Sequence, residues 1–170
     1  MNIRNFKLSD LPRVMQIERA SFGQIGYSAT TFLAHLCRDR KHSFVAEDEA
    51  GRLVGYMLVR MTLGWFGGRK GGITSIAVDP PHRRRGVGSA LMEHALQHLL
   101  EQGVQKADLE VEVGNRAAQS LYESFGFRHA RLLPHYYGPN RDGLSMVVDL
   151  AGARRAHART LPTTDRAGDG

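Results

Sequence analysis

Apolar positions along this chain switch repeatedly between helical and strand periodicity. Asp10-Leu11-Pro12 opens a segment in which Val14, Ile17 and Glu18 keep helical spacing, which predicts a helix to about Ala20. A loop at residues 23–28 precedes a second short helix over residues 29–39. Residues 43–47 and 53–63 read as strands joined around Glu49-Ala50-Gly51. Residues 64–72, GWFGGRKGG, read as a flexible connection with an exposed Trp65-Phe66 pair. The β-branched run at residues 73–78 predicts a central strand, and residues 86–102 a helix stopped by Gly103. A strand over 106–113, a helix over 115–125 and strands over 127–132 and 144–150 complete the chain. The order is alternating α and β, with no internal repeat.

Candidate chemistry enters where the central strand stops. Asp79-Pro80-Pro81 ends it; Arg83, Arg84 and Arg85 follow, then Gly86, Val87, Gly88 and Ser89 at the start of a helix. Strand, basic glycine turn and helix N-terminus together make an anion cradle. Glycines let backbone N–H groups approach a ligand, and the helix dipole adds partial positive charge. The arginines add forked donors suited to phosphate. A phosphorylated cofactor is the expected ligand. The turn lacks the lysine and hydroxyl of a nucleotide P-loop, and Leu91 fills the place of the third glycine in a dinucleotide fingerprint.

A second block, LEVEVGNRAAQSLYESFGF at residues 109–127, joins a strand to a helix. Ala107, Leu109, Val111 and Val113 share one strand face; Asp108, Glu110 and Glu112 share the other. Those acids suit a solvated face. A right-handed crossover would also lay this strand beside residues 73–78, where an acid becomes a candidate general base with Glu110 central. Asn115 suits a helix N-cap and Gly126 a left-handed C-terminal residue. Ala118, Leu121, Tyr122 and Phe125 share a helix face, which by periodicity alone makes Tyr122 a core aromatic.

Composition narrows the class. A chain of 170 residues with 42% hydrophobic content sustains one core and one domain, expected over residues 1–150. Residues 151–170 are small, polar and aperiodic, and are expected to form a disordered basic tail. Four arginines against two aspartates in that tail supply +2 of the net charge of +6, and the arginine cradle accounts for much of the rest. Neither interleaved aromatics nor a basic stripe supports nucleic-acid binding. No apolar run reaches membrane-spanning length, and MNIRNFKLSD holds no hydrophobic signal region. The lone Cys37 excludes an intramolecular disulfide and, in its helix-like stretch, is expected to be a packed thiol; a cytoplasmic protein is expected. His94 and His98 lie i, i+4 apart without a third ligand, so a surface pair and no metal are expected.

RRRGVG and LEVEVGNRAAQSLYESFGF, in this order and spacing, resemble the GNAT acetyltransferases, and among them the ribosomal-protein alanine N-acetyltransferases. The resemblance spans about residues 1–150 and is strongest between 73 and 127. It implies an α/β GNAT fold: a mixed, mostly antiparallel sheet of six to seven strands, about four helices and a splayed central parallel pair. It implies acetyl-CoA as donor, with residues 83–89 at the pyrophosphate. Ile76, Ala77 and Val78 would offer backbone groups to the acetyl-pantetheine arm, and Asn115 would contact the cofactor. Glu110 is implied as general base and Tyr122 as general acid; Tyr136 and Tyr137 would line a peptide entrance. The expected acceptor is the N-terminal α-amine of a protein or peptide, attacked directly in a ternary complex by a monomer or homodimer. A lysine or small amine, and a non-catalytic acyl-CoA sensor, remain alternatives. Asn140-Arg141-Asp142-Gly143 departs from the acidic pair common before the last strand in the family, which leaves ribosomal-protein specificity open.

Overall fold

The computed structural model describes residues 1–23, 26–63 and 68–151. One seven-stranded sheet runs in the order β1-β2-β3-β4-β5-β7-β6. Its strands are β1 (Asn2–Asn5), β2 (Phe44–Glu47), β3 (Leu53–Leu63), β4 (Arg69–Val78), β5 (Lys106–Glu112), β6 (Arg128–Leu133) and β7 (Gly143–Asp149). The helices are α1 (Leu11–Phe22), α2 (Ala29–Asp39), α3 (Val87–Glu101) and α4 (Arg116–Ser124). Only β4 and β5 pair in parallel; the other neighbours are antiparallel.

Strand alternation assigns each side chain to a face. Tyr56 and Leu58 of β3, with Ala77 of β4, join Val14, Ile17, Phe32 and Leu36 from α1 and α2 in one buried cluster. Met57, Val59, Leu109 and Val111 point the other way, into a core with Leu91, Met92, Ala95 and Leu99 of α3 and Tyr122 of α4. Two glycines permit the close approaches this needs. A Cβ on Gly55 would meet Val87 Cγ1 at 3.1 Å, so α3 can begin directly over β3. A Cβ on Gly72 would lie 2.5 Å from the Arg60 guanidinium carbon, so Arg60 crosses β4 over that position.

The feature that makes room for a ligand is the gap between β4 and β5. Their pairing covers Gly71–Ala107, Gly72–Asp108 and Ile73–Leu109, and there it stops. The next residue, Thr74, is the extra residue of a bulge against Leu58 and Val59. Bulges bend and twist a strand, and here β4 leaves β5 at that point. Beyond it β5 continues against β7 as far as Glu112, and β4 continues against β3 to Val78.

Several expectations change. Arg69 to Gly72 belongs to β4, paired with β3, and not to a flexible connection; Trp65 and Phe66 lie outside the described residues, as does the tail after Ala151. β1 is an added strand, too short and too polar to show periodicity. Cys37 is exposed and not packed, because α2 buries the stripe of Phe32, His35, Leu36 and Asp39 on its other side. His98 is not a simple surface group: its Nε2 lies 2.8 Å from Nδ1 of buried His42, and its ring, like that of His94, packs edge-on to Phe44.

Candidate active site

The arginine–glycine turn takes the form its sequence implies. Gly86 sits at φ +80° as the N-cap of α3, with no side chain capping the helix. The first N–H groups of α3 therefore face outward unpaired, as at any uncapped helix start. A Cβ built on Gly86 would meet nothing within 4 Å, so the approach is open. Gly88 lies close to Leu121 of α4 and Val78 of β4, which places the helix start over the end of the strand gap. Val87 is buried beneath it, and Ser89 is the third residue of the helix. Arg84, at φ 57°, and Arg85 are exposed. Arg83 is committed inward: its Nε donates to the Val78 carbonyl at 3.1 Å and its Nη2 to Ser21 Oγ at 3.0 Å. A phosphate-bearing group fits this turn, with two exposed cations and several backbone donors beside open space.

Along the gap, the strand pleat directs the backbone. Asp79 N–H donates to Val54 on the β3 side, so by alternation the N–H groups of Ile76 and Val78 turn towards the gap, while Ala77 pairs back to Tyr56 of β3. The Ile76 and Val78 side chains pack on the α3 face, where Ala118, Leu121 and Tyr122 of α4 also lie. Asn115 caps α4, its Oδ1 accepting the Ala118 N–H at 3.1 Å. Tyr122 is 6% exposed and packs 6.1 Å from the Phe127 ring centroid. Burial pushes its phenol up to about 12, so it stays protonated at neutral pH as a donor.

Glu110 lies across the gap on the α1–α2 face, with its fellow acids Asp108 and Glu112. Both neighbours are neutralised. Asp108 pairs with Arg60 of β3, and Glu112 takes a two-pronged contact from Arg141 at 2.7 and 2.8 Å. Glu110 has only Arg60 at 4.0 Å. Among the described residues it is the one acid of the three without a hydrogen bond. Arg141 thus has a definite use in the segment that departs from the family pattern: it ties the β6–β7 loop to β5, helped by Asp142, whose carboxylate accepts the His135 N–H at 2.8 Å.

That loop brings two tyrosines within electrostatic reach of Glu110. Tyr136 and Tyr137 meet edge to face, centroids 5.0 Å apart, with Tyr136 54% exposed. Burial pushes the Tyr137 phenol up, reinforced by Tyr136, Glu110, Tyr122 and Tyr27. Tyr27, which belongs to no motif in the chain, is raised first by burial and then by Tyr136, Glu18 and Glu110. The site is therefore two half-sites joined through the strand gap. The base candidate and three tyrosines occupy one face; the helix cradle, Asn115 and Tyr122 occupy the other.

Residues 11–127 match the Acetyltransferase (GNAT) family. The chain belongs to the GNAT acetyltransferases. This acetyltransferase is 35% identical over 156 residues to an N-alpha-acetyltransferase of Sulfolobus acidocaldarius, covering 87% of this chain and 92% of that one. It is 30% identical to the [Ribosomal protein bS18]-alanine N-acetyltransferase of Escherichia coli, covering 88% and 95%. Among solved structures, Ard1 from Thermoplasma volcanium superposes with a TM-score of 0.79 at 29% identity, over 87% of this chain and 96% of that one. The seven-stranded sheet with its single parallel pair is the fold expected of the family. Among the described residues of the enzyme, no group of three His, Cys, Asp or Glu side chains could hold a metal, and no helix is long and apolar enough to cross a membrane.

Proposed function

We propose that the enzyme transfers the acetyl group of acetyl-CoA to the N-terminal α-amine of a protein or peptide. The observation that carries this reading is Glu110, left without a hydrogen bond where β4 and β5 part and overlooked by Tyr27, Tyr136 and Tyr137. An α-amine, with a pKa of about 7.7–8.0 against about 10.4 for lysine, is the amine a carboxylate can most easily help to deprotonate. The relatives from Sulfolobus acidocaldarius and Escherichia coli, named for N-alpha and alanine N-acetyl transfer, support the same acceptor.

The roles divide by face. Arg84, Arg85 and the open N–H groups of residues 86–89 hold the cofactor's phosphates, with Asn115 at the adjacent helix start. Arg83 contributes by fixing the turn to β4. Ile76, Ala77 and Val78 form the strand along which the pantetheine arm would lie, with gap-facing N–H groups from Ile76 and Val78. Acetyl-CoA supplies a thioester-activated acetyl group. Glu110 accepts the proton lost by the attacking amine, directly or through one water, and Tyr122 returns a proton to the departing sulfur. The new C–N bond replaces the C–S bond in one transfer, without a covalent enzyme intermediate. Tyr136 and Tyr137 wall the acceptor's path, and Arg141 holds them there through Glu112.

The test is to incubate the protein with acetyl-CoA and peptides bearing free or blocked N-termini, together with lysine-only peptides and polyamines. Mass spectrometry locates the added acetyl group. Label confined to free α-amines is the expected outcome. Label on lysine or polyamines would replace the acceptor class, and no label with acetyl-CoA still bound would point to a sensor.

A further inference from the structure

α1 carries an acid on its buried stripe. Glu18 is 2% exposed, at a position where Val14 and Ile17 mark the apolar face. Burying a carboxylate is costly unless it is hydrogen-bonded, and leucine would fill such a place more cheaply. The carboxylate is fully engaged instead. Its Oε1 accepts the backbone N–H of Tyr27 at 2.7 Å, and its Oε2 accepts the hydroxyl of buried Tyr56 in a short contact. The same Tyr56 hydroxyl lies 3.1 Å from Ser75 Oγ. Gly26 lies flat against the group: a Cβ there would be 3.0 Å from Glu18 Cγ and 3.1 Å from Oε1.

The two ends of this chain of contacts are informative. Ser75 sits on β4 just past Ile73, the last residue paired with β5, so it marks the mouth of the gap. Tyr27 stands at the other end, its ring edge-on to Phe32 at 6.1 Å, with Phe32 edge-on to Tyr56 at 5.4 Å. The Tyr27 phenol, raised first by burial, also lies within electrostatic reach of Tyr136 and Glu110. Nothing in the amine-transfer steps uses Glu18. Its contacts all serve to hold one turn at one height above the sheet.

We infer that Glu18 is a positioning residue, a buried latch that ties the Gly26–Tyr27 turn to Tyr56 and Ser75 and so fixes the Tyr27 wall of the acceptor mouth. This rests on the acceptor path proposed above. The latch acts on acceptor binding and leaves the cofactor face alone, because α3 and α4 pack on the opposite side of the sheet.

Glu18→Gln, Tyr56→Phe and Gly26→Ala test it together. The amide keeps the shape of Glu18 but presents a donor to one of its two donors. Tyr56→Phe removes the link to Ser75, and Gly26→Ala pushes the turn off the carboxylate while the α1 sequence stays unchanged. Each folded variant is expected to raise the KM for the acceptor about tenfold, as loss of one hydrogen bond to a charged group implies. The acetyl-CoA Kd should stay within about twofold of the wild type on the same scale, and hydrogen exchange at the Tyr27 amide should quicken by about tenfold. Unchanged Tyr27 exchange and acceptor KM in the folded variants would overturn the latch. Equal weakening of both substrates would do the same, since a general loss of structure does not choose between faces. Should Glu18→Gln not fold, the other two variants decide. If the wild type labels no α-amine, the acceptor reading fails separately; the KM comparison then moves to whichever amine is labelled, and Tyr27 exchange still judges the latch.

Discussion

Glu110 owes its availability to its neighbours. Three acids alternate along one face of β5, and two arginines from distant parts of the chain neutralise the outer pair. A general base must be within hydrogen-bond reach of the proton it removes, directly or through one water, and Glu110 has Arg60 only at 4.0 Å. Glu110→Gln keeps the shape and removes the basicity, so kcat should fall about 10²- to 10⁴-fold. If Tyr122 is the general acid, Tyr122→Phe should lower kcat by a smaller factor, because a phenol raised to about 12 is a weak acid. In both variants, calorimetric titration should find acetyl-CoA affinity unchanged, and full activity in either would remove that residue from the mechanism. Both candidates come from one local motif, residues 109–127. The roles of Arg60 and Arg141 were not legible in the sequence, since each meets its acid 48 and 29 residues away and only the folded sheet joins them. Tyr27 and Glu18 stayed hidden for another reason: neither a tyrosine in a loop nor a polar residue on a helical stripe shows a function until its partners in the folded chain are known.

At the scale of elements, the cofactor half-site depends on the start of α3 lying over the end of β4. Residues 73–91 predict this unit almost complete, because the proline stop, the left-handed Gly86 and the helical apolar spacing are all local signals. The start of β4 was hidden by glycines that look like a linker but serve packing: Gly72 makes room for Arg60 and Gly71 for Leu99. A gap between parallel strands was likewise invisible, since it depends on a bulge at Thr74 defined only against β3. The arginines now separate by role. Arg84→Ala with Arg85→Ala removes two exposed charges, and should weaken acetyl-CoA about tenfold, more at low salt than at high. Arg83→Ala should instead lower thermal stability as well, because Arg83 holds the Val78 carbonyl and Ser21. Gly86→Trp should block the open approach and reduce binding with the helix intact by circular dichroism. Equal acetyl-CoA affinity across these variants would place the phosphates elsewhere.

For the whole molecule, two sets of titrating groups fasten the sheet to its surroundings, and they respond to acid in different ranges. Around α2 and α3, burial lowers His35, His42 and His98; His42 is lowered further by His98, Lys41 and Arg69 against Asp39, and His98 by His94 against Glu101. A histidine whose folded pKa lies below its unfolded value of about 6.5 contributes stability that is present above that pH and lost as pH falls through the lowered value. The second set centres on β1, where Arg4 forks onto Asp10 at 2.8 and 2.9 Å and reaches Glu47 of β2. Burial works to raise Asp10, but Arg4 and the Lys7 N–H prevail and hold its carboxyl below the ordinary value. Arg4 likewise lowers Glu47. Carboxylates with depressed folded pKa stabilise above their unfolded values of about 3.9 and 4.3 and lose that stability only as pH falls further. Melting temperature should therefore drop in two stages, the first below about pH 6.5 and the second below about pH 4. His98→Gln should shrink the first stage and leave the second. Arg4→Met should cost about 2 kcal/mol at neutral pH, the worth of its charged hydrogen bonds, and should flatten the second stage alone. A single acid transition unaffected by either substitution would mean that neither set contributes to folding stability as its geometry requires.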